Sequence, residues 1–405
     1  MSGGYLEVLR TAGALRVFVP ALVGRLSFAM VTLVLLFAVQ RSTDSLAVAG
    51  AATGAFGLAN VIASHYRARF VDRRGQRFAL NSLAIAFAAG LSCMAALTAQ
   101  SEPPAGVLVG LAAVVGLFPA PLGASMRVLW GSITEPGAVR TEAYSVDAVC
   151  EELLFTTGPL IAAAVVGAIS PPVGLLATAL VALVGTLGMT SSPLSRGHGS
   201  VTTPPRNSSR PLRQSGFVAI LIALLGVGVV LGTVEVVTPA VADSQGSVGL
   251  AGILLAAFAA GSAVGGLLYG QRTWRSSLVK RLLISSTLMT MLCALLPTPG
   301  SVVVLACGLI AVGFFLAPSL VIGYLLADDI TAVEVRTEAS SWINTAVNAG
   351  AAAAAIIVGF TVDASDPRLG FLIGAGTALT LVLAASAPLL RSTKPVPAKE
   401  QLRSA

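Results

Sequence analysis

Three acidic side chains lie together inside one long apolar stretch of the sequence. Asp147 and Glu151 are four residues apart, so on a helix they share a face. Glu152 follows directly and would point about 100° away from its neighbour. A carboxyl group in an apolar environment can bind and release a proton, or it can neutralise a nearby cation, because an unpaired charge there is costly. The sequence therefore predicts either a proton-binding site or a packed ion pair in this stretch.

A basic side chain is available at a matching depth. Arg25 lies about seven residues into the first apolar stretch, and Glu151 and Glu152 lie at a similar depth in the fifth, if both helices begin on the same side. We therefore predict that Arg25 pairs with Glu152 or Glu151. Two interpretations remain open. The acid is a protonatable coupling group, with Glu152 preferred to Glu151, or the pair only fixes helix packing.

Glu235 is a separate candidate, in the outer third of the seventh apolar stretch. It precedes Thr238 and Pro239, where a break in the helix is expected. It could serve an outer gate or bind a substrate amine, or it could simply reach the outer water. The two histidines, His65 and His198, lie in or beside polar loops, so no metal site and no histidine-based proton site is predicted.

The composition indicates which kind of helix carries these charged side chains. Of the 405 residues, 55% are hydrophobic and 11% are charged, whereas a soluble domain carries about a quarter charged residues. A helix needs about 20 apolar residues to cross a bilayer. Twelve stretches meet or approach that length: Phe18–Val39, Ser45–Ala63, Phe78–Ala99, Ala105–Leu129, Ala143–Ile169, Val173–Thr190, Gly216–Ala240, Val248–Gly270, Leu282–Pro297, Ser301–Ala327, Ala339–Val362 and Leu369–Leu390. The sequence therefore predicts an all-α membrane protein with twelve transmembrane helices.

The basic residues indicate how the chain is oriented. If the N-terminus lies inside, 22 of the 25 Lys and Arg residues fall in inner segments, whereas Arg41 and Arg368 lie in outer loops. An even number of spans then places both termini in the cytoplasm. The excess of Arg over Lys suggests a GC-rich bacterial genome, so we predict a bacterial cell (inner) membrane. The net charge of +7 follows from this orientation and from contact with anionic lipid, and nucleic-acid binding is not predicted.

The two halves of the chain are separated by a linker and repeat each other. Residues 191–215 are rich in Ser, Pro, Gly and Arg, which predicts a cytoplasmic linker. The segment VRTEAYS, residues 139–145, recurs as VRTEASS, residues 335–341, at an offset of 196. Parallel six-helix repeats build a cavity between the halves of some transporters, although a channel or a membrane enzyme could also be duplicated. We predict two pseudo-symmetric six-helix bundles, with an N-terminal bundle at 1–190, the linker at 191–215, a C-terminal bundle at 216–390 and a cytoplasmic tail at 391–405.

The same offset places polar residues opposite each other. Glu152 corresponds to Asn348, and Asn344 lies four residues before Asn348 on the same helical face. Two polar faces at a similar depth are what a central binding site needs. We therefore predict that Asn344, Asn348 and the neighbouring Trp342 help to line the cavity.

The loop after the second predicted span carries a recognisable motif. Residues 68–77 read ARFVDRRGQR, which resembles the pattern G-x-x-x-D-R-x-G-[RK]-[RK] of the major facilitator superfamily. Ala68 and Gln76 are the two departures from that pattern. The resemblance extends over essentially the whole chain, and it implies the twelve-helix fold of that family.

The resemblance also implies a cytoplasmic gate. Asp72 would face the start of the eleventh helix, where the helix dipole favours an anion. Arg73 or Arg77 would pair with Glu142 at the start of the fifth helix, and Gly75 belongs to the same motif. The other interpretation is a basic inner loop in which the aspartate only caps a helix.

Two further segments bear on the resemblance. In the second half GLLYGQR, residues 266–272, aligns with the loop motif, but Gly270 stands in the place of the aspartate, and the glycines there predict close helix packing. In the fifth span Gly158 and Pro159 are similar to the G-P-x-x-G-G core of drug–proton antiporters, or they form an ordinary kink. The fourth span lacks the mid-helix Arg of the family's proton-transfer motif, because Arg127 is expected at its inner end.

These observations favour one function over several others. The resemblance implies a secondary active transporter working by alternating access, and the mostly apolar spans favour proton-coupled efflux of a lipophilic or amphiphilic small molecule. An importer or facilitator of a sugar or amino acid, or a non-transporting membrane sensor, remains open. The sequence has no H-E-x-x-H, G-x-S-x-G or phosphate-binding loop, so neither an enzyme nor a cofactor is predicted, and a proton gradient is the expected energy source. The predicted partners are a small-molecule substrate, protons and the lipid bilayer, and the predicted state is a monomer.

Overall fold

The structure is a computed structural model that describes most of the chain. It covers residues 5–11, 13–100, 103–197, 210–214, 216–244, 248–297, 301–364 and 368–392. In those ranges the chain forms α-helices and two short 3-10 helices, with no strand. The all-α prediction is therefore confirmed. About half of the predicted linker, residues 198–209 and 215, and nearly all of the predicted tail, 393–405, lie outside the described residues.

The helices follow one another along the chain with short connections. In the first half they are α1 Tyr5–Arg10, α2 Ala14–Thr43, α3 Leu46–Arg74, α4 Gln76–Thr98, α5 Ala105–Gly116, α6 Leu122–Ile133, α7 Ala138–Ala168, α8 Pro171–Ser191 and α9 Pro193–Gly197. In the second half they are α10 Phe217–Ser244, α11 Val248–Gln271, α12 Leu278–Leu295, α13 Val302–Gly313, α14 Leu316–Ile330, α15 Arg336–Ala364 and α16 Leu369–Ser392. The two 3-10 helices are Pro211–Arg213 and Val333–Val335.

Ten of the twelve predicted spans correspond to one helix each, and the other two are broken. The fourth is divided into α5 and α6, because Pro119 and Pro121 in the connection lack the N–H that would continue the hydrogen-bond ladder. The tenth is divided into α13 and α14 at Phe314 and Phe315, just before Pro318. The two breaks therefore fall in corresponding spans of the two sequence halves.

Length and composition support a membrane location for most of these helices. Among the described residues, nine helices are long and apolar enough to cross a membrane, when α13 and α14 are counted together. They are α2, α4, α7, α8, α10, α11, α12, α13 with α14, and α16. The predicted spans α3 and α15 have the length, at 29 residues each, but are less apolar. The first is rich in Ala and Gly, and the second begins with a polar run.

By their contacts, the residues form two compact units. The first contains Met1–Ser208, Gly266–Thr273 and Thr331–Thr345; the second contains Ser209–Gly265, Trp274–Ile330 and Ala346–Ala405. The first unit thus holds the predicted N-terminal bundle together with the end of α11 and the beginning of α15, which the sequence had assigned to the C-terminal bundle. Side chains at those two helix ends explain this grouping, as described below.

Glycine allows the helices of each unit to approach closely. In the first unit a Cβ added to Gly185 on α8 would lie 2.0 Å from the backbone nitrogen of Gly24 on α2, so the two backbones are in direct contact. In the second unit a Cβ added to Gly265 on α11 would lie 1.9 Å from the carbonyl oxygen of Phe314. The predicted packing role of the glycines in α11 is consistent with this distance.

The α2–α8 contact leads to a stability prediction. Gly185→Ala places a methyl group where the backbone of Gly24 lies, and overpacking of this kind costs about 1–3 kcal/mol or more. We expect a lower midpoint of thermal unfolding for the purified protein in detergent. The matched control is Gly110→Ala on α5, where the added Cβ meets no atom within 4 Å. Equal midpoints for the two variants would contradict the close approach.

Candidate functional site

Four charged side chains of the first unit meet in its interior, and we call them the charge cluster. They are Arg25 on α2, Arg127 on α6, and Asp147 and Glu151 on α7. Arg25 Nη2 lies 2.9 Å from Asp147 Oδ1, and Arg127 Nε lies 3.3 Å from Asp147 Oδ2. Arg127 Nη2 also donates to Glu151 Oε2. Two cations and two anions therefore balance each other across three helices.

The members of the cluster differ in burial. The side chain of Asp147 is 0% exposed and that of Arg127 is 2% exposed. The side chain of Glu151 is 23% exposed. Asp147 is thus enclosed between two guanidinium groups, whereas Glu151 is the more exposed acid of the cluster.

Helical spacing on two facing helices creates the cluster. Asp147 and Glu151 are four residues apart on α7, and Gly123 and Arg127 are four residues apart on α6. A Cβ added to Gly123 would lie 3.2 Å from Glu151 Oε1, so glycine leaves room for the charged side chains. Its carbonyl oxygen also lies 3.4 Å from Arg25 Nη2. The sequence analysis missed Gly123, although the matching four-residue spacings could have indicated it.

The predicted partner of Arg25 was wrong. We expected Glu152 or Glu151, but the described ion pair of Arg25 is with Asp147. Both helices begin earlier than expected, α7 at Ala138 and not near Ala143, and α2 at Ala14 and not at Phe18. Counted from these starts, Arg25 lies two residues deeper than Asp147 and two residues less deep than Glu151, so depth alone does not select the partner.

Arg127 is a member of the charge cluster, whereas Glu152 follows Glu151 in the sequence of α7. We expected Arg127 at the inner end of its span, but it lies within α6 and is fully buried in the cluster. Glu152 is half-buried on α7, beside Glu151 in sequence. Its role as a coupling group stays a prediction.

Arg25 keeps unused hydrogen-bonding capacity. Its Nε and Nη1 atoms are buried and have no hydrogen-bond partner among the described atoms. A buried guanidinium donor normally has a partner, because leaving it unsatisfied costs free energy. These two nitrogens can therefore donate hydrogen bonds to a water molecule or an anionic group.

A second set of polar contacts joins the end of α3 to the beginning of α15, and we call it the α3–α15 contact. Arg69 Nε and Nη2 donate to Glu338 Oε2 and Oε1 at 3.0 Å and 2.6 Å, a bidentate ion pair. The backbone N–H of Glu338 donates to Asp72 Oδ2 at 3.1 Å. Asp72 therefore lies at the start of the eleventh predicted span, where the family resemblance placed it.

The arginine of this contact differs from the expected one. We expected Arg73 or Arg77 to pair with Glu142, but both arginines are exposed and neither forms an ion pair in the part of the chain that the structure describes. Arg69 and Asp72 are three residues apart and share a face of α3, which explains why both reach α15. The observed ion pair therefore joins Arg69 to Glu338, the glutamate of the second VRTEA copy.

The turn after α3 explains the rest of the loop motif. Gly75 has φ of +80°, a backbone conformation that favours glycine. Gln76, which departs from the family pattern, is buried and donates through Nε2 to the carbonyl oxygen of Ser125 at 3.1 Å. An uncharged residue at this place thus fixes the start of α4 against α6.

Burial affects the protonation of Asp72. Desolvation raises its pKa to about 7, although hydrogen bonds from the Thr337 side chain and the Glu338 backbone act in the opposite direction. The α3–α15 contact therefore contains a carboxyl group whose pKa lies above its ordinary value.

The remaining predicted residues lie at separate places. Glu235 is exposed on α10, and that helix continues through Pro239 to Ser244 without the expected break. Gly158 is buried on α7, where an added Cβ would lie 2.4 Å from the Cβ of Ala29, and Pro159 lies inside the same continuous helix. The antiporter role of this Gly-Pro pair stays a prediction.

The predicted cavity residues do not fall in one unit. Trp342 stacks on His65 with ring centroids 5.1 Å apart, and Asn344 is half-buried in the same unit. Asn348 is exposed and belongs to the second unit. Their predicted role in a cavity stays a prediction. Within the described ranges, no three His, Cys, Asp or Glu side chains are arranged to hold a metal ion.

Comparison with known proteins gives the family. A comparison with curated protein sequences found no match. Among solved structures, the human organic anion transporter MFSD10 (TETRAN) is similar, with a TM-score of 0.71, 15% identity, and coverage of 92% of this chain and 98% of that one. A bacterial homologue of the iron transporter ferroportin, in an outward-facing state with soaked iron, has a TM-score of 0.69 at 14% identity, with coverage of 94% and 99%.

At these identities the two structures establish the fold alone, with its twelve helices in two six-helix bundles. The sequence model described as Major Facilitator Superfamily matches residues 17–246 and 216–405. These matches extend over nearly the whole chain, as the resemblance of the loop motif implied. The chain is a multi-pass membrane protein and belongs to the major facilitator superfamily of transporters.

Proposed function

We propose that this transporter works by alternating access and exchanges protons for a lipophilic or amphiphilic small molecule, which it expels from a bacterial cell. The observation that carries the proposal is the charge cluster, an electrically balanced group of two arginines and two acids inside the first unit. We place the protein in the bacterial inner membrane as a monomer, with both termini in the cytoplasm. The α3–α15 contact then serves as the cytoplasmic gate.

The cluster offers one acid for proton exchange. Asp147 contacts two guanidinium groups and is fully enclosed, so both of its oxygens are engaged. Among the described residues Glu151 pairs only with Arg127, and it is 23% exposed. We therefore assign proton binding to Glu151, in preference to the Glu152 of the sequence prediction.

Protonation of Glu151 changes the charge balance inside the protein. The cluster is neutral while both acids are ionised, and it gains a charge of +1 when Glu151 binds a proton. An uncompensated charge in a buried site is costly. Loss of the Arg127–Glu151 ion pair would thus change the free energy of the α6–α7 arrangement, which is the kind of link between proton binding and conformation that a coupled transporter needs.

The surface beside Glu151 suits an amphiphilic substrate. Phe155 lies four residues further along α7, on the same face, and is 53% exposed. Its ring also contacts Phe28 on α2, with centroids 6.3 Å apart. A carboxylate next to exposed aromatic surface can attract a lipophilic cation, which would compete with the proton for the same acid.

A second candidate substrate class is an organic anion. It is favoured by the two buried nitrogens of Arg25 that have no hydrogen-bond partner among the described atoms. The structural likeness to an organic anion transporter points in the same direction. An anion would bind best when Glu151 is protonated, so it would travel together with the proton and not in exchange for it.

The coupling assignment predicts the behaviour of two neighbouring variants. In inside-out vesicles that hold an imposed proton gradient, a pH-sensitive dye reports proton movement when a panel of lipophilic cations and organic anions is added. We expect a compound that collapses the gradient with the wild-type protein to have no effect with Glu151→Gln. The matched control is Glu152→Gln, which should respond like the wild type.

Each alternative result has a definite meaning. Full coupling in Glu151→Gln together with loss in Glu152→Gln would move the proton site to Glu152, the original prediction. Full coupling in both variants would contradict proton binding at this cluster. A gradient that increases on addition of an anion, and not a cation, would favour the second substrate class.

The two acids of the cluster should differ in their effect on stability. Asp147→Asn leaves two buried arginines short of one negative charge, and breaking a buried ion pair costs about 3–5 kcal/mol. We expect a clearly lower midpoint of thermal unfolding in detergent. Glu151→Gln also leaves a charge of +1, but Asp147 still compensates both arginines and Glu151 is 23% exposed, so its midpoint should fall by less than that of Asp147→Asn. The reverse order of the two midpoints would show that Asp147 is not the structural acid.

A further inference from the structure

The end of α11 lacks the acidic residue that its counterpart, α3, uses. In the first half Asp72 binds the start of α15, but the aligned position in the second half is Gly270. A glycine has no side chain to bind the start of α7. Even so, the end of α11 belongs to the same compact unit as α7 and α1.

A tyrosine from the N-terminal helix lies at this place. The hydroxyl of Tyr5 on α1 donates to the carbonyl oxygen of Leu267, and the backbone of Gln271 is a further hydrogen-bond partner. Leu267 and Gln271 are four residues apart and end the helix. The single hydroxyl therefore holds the last turn of α11.

The fit around Gly270 is close. A Cβ added to it would lie 2.6 Å from the Tyr5 hydroxyl oxygen, 2.7 Å from Ser145 Oγ and 2.8 Å from Ser145 Cβ. Ser145 lies on α7 and is fully buried. Three helices, α1, α7 and α11, thus meet around one glycine that must remain without a side chain.

The tyrosine also lies near the acid of the repeated segment. Glu142 is 1% exposed, and its negative charge, together with burial as the larger cause, raises the pKa of Tyr5 to about 12. Tyr5 therefore stays neutral at physiological pH and keeps the proton that it donates. Glu142 and Ser145 both belong to VRTEAYS, whereas the second copy supplies Glu338 to the α3–α15 contact.

We propose that Tyr5 is a positioning residue of the cytoplasmic gate, which fastens the end of α11 to α7 in place of the missing aspartate. The gate then has two unlike halves. A carboxylate and an arginine bind α15 on one side, and a tyrosine and a backbone contact at Gly270 bind α11 on the other. The inference rests on the proposed alternating access, because a gate has meaning only if it opens.

The two halves of the gate differ in how they respond to salt. The α3–α15 contact depends on charges, so salt weakens it to the extent that it is exposed. The Tyr5–Leu267 contact is between neutral groups and does not depend on ionic strength. It also comes from α1, which is joined to α2 through Gly13 with φ of +82°. A segment outside the twelve spans thus takes part in closure.

The test measures how often the gate opens, without substrate or a proton gradient. The four native cysteines, Cys93, Cys150, Cys293 and Cys307, are first replaced by Ala. Ser341→Cys then introduces a thiol at a position near the start of α15 that is 6% exposed. The rate at which a hydrophilic maleimide labels this thiol in detergent increases with the open population.

The expected result is faster labelling when the tyrosine contact is removed. Tyr5→Phe deletes one oxygen atom, and we expect labelling about two- to ten-fold faster, the factor that corresponds to one hydrogen bond. Tyr66→Phe deletes an exposed hydroxyl on α3 and should label at the parent rate. Arg69→Ala, which removes the ion pair with Glu338, gives the rate of a gate that is weakened on its other side.

A second pair of variants tests the contact at Gly270 independently. Gly270→Ala places a methyl group among Tyr5 and Ser145 and should also speed labelling. Gly252→Ala is the matched control on the same helix, because its added Cβ meets no atom within 4 Å. Parent-like labelling of both Tyr5→Phe and Gly270→Ala, beside faster labelling of Arg69→Ala, would overturn the proposal.

This outcome is independent of the coupling experiment. A failed Tyr5 test leaves proton binding at Glu151 untouched, since the vesicle measurement uses neither Tyr5 nor Gly270. Conversely, full coupling in Glu151→Gln would contradict the proposed function and leave a positive labelling result to be explained as a structural contact. The two ideas can therefore fail separately.

Discussion

Charge neutrality inside the first unit is the constraint on which the rest of the site depends. Two guanidinium groups, those of Arg25 and Arg127, are buried, and Asp147 lies between them. An isolated charge at such a place would cost far more than a single hydrogen bond returns. The ion pairs therefore favour the present arrangement of the three helices as long as both acids are ionised. Gly123 is part of the same constraint, because a larger side chain there would press on the cluster.

The duplicated sequence is used in two different ways. Both VRTEA copies begin a long helix, and both carry a glutamate that is almost fully buried, Glu142 and Glu338. The second copy is bound by two ionisable side chains, Arg69 and Asp72, whereas the first copy lies beside Tyr5 and a glycine. The repeat thus preserves the places where helix ends meet but not the groups that meet there. The sequence repeat therefore predicts where two helix ends meet better than it predicts which side chains meet there.

Much of the fold could be predicted from the sequence, because long apolar stretches and basic loops are determined by the membrane itself. The partner of Arg25 could not be predicted, because Asp147 and Glu151 share a helical face and differ from Arg25 in depth by the same two residues. The cluster also required the packing of α6 against α7, where Gly123 leaves room for the charged side chains. Close glycine contacts such as Gly24–Gly185 could not be predicted either. They depend on which helices are neighbours, and local sequence does not contain that information.

The charge balance of the cluster also limits how a substrate could be coupled to protons. If Glu151 binds the proton, a cationic substrate and the proton compete for one negative charge, and the cluster tolerates either but not both. That relation is exchange, and it requires no direct contact between the two ligands. An anionic substrate has the opposite relation, because it compensates the +1 charge that protonation creates and therefore binds with the proton. The sign of the substrate's charge should thus determine whether the same four residues support antiport or cotransport.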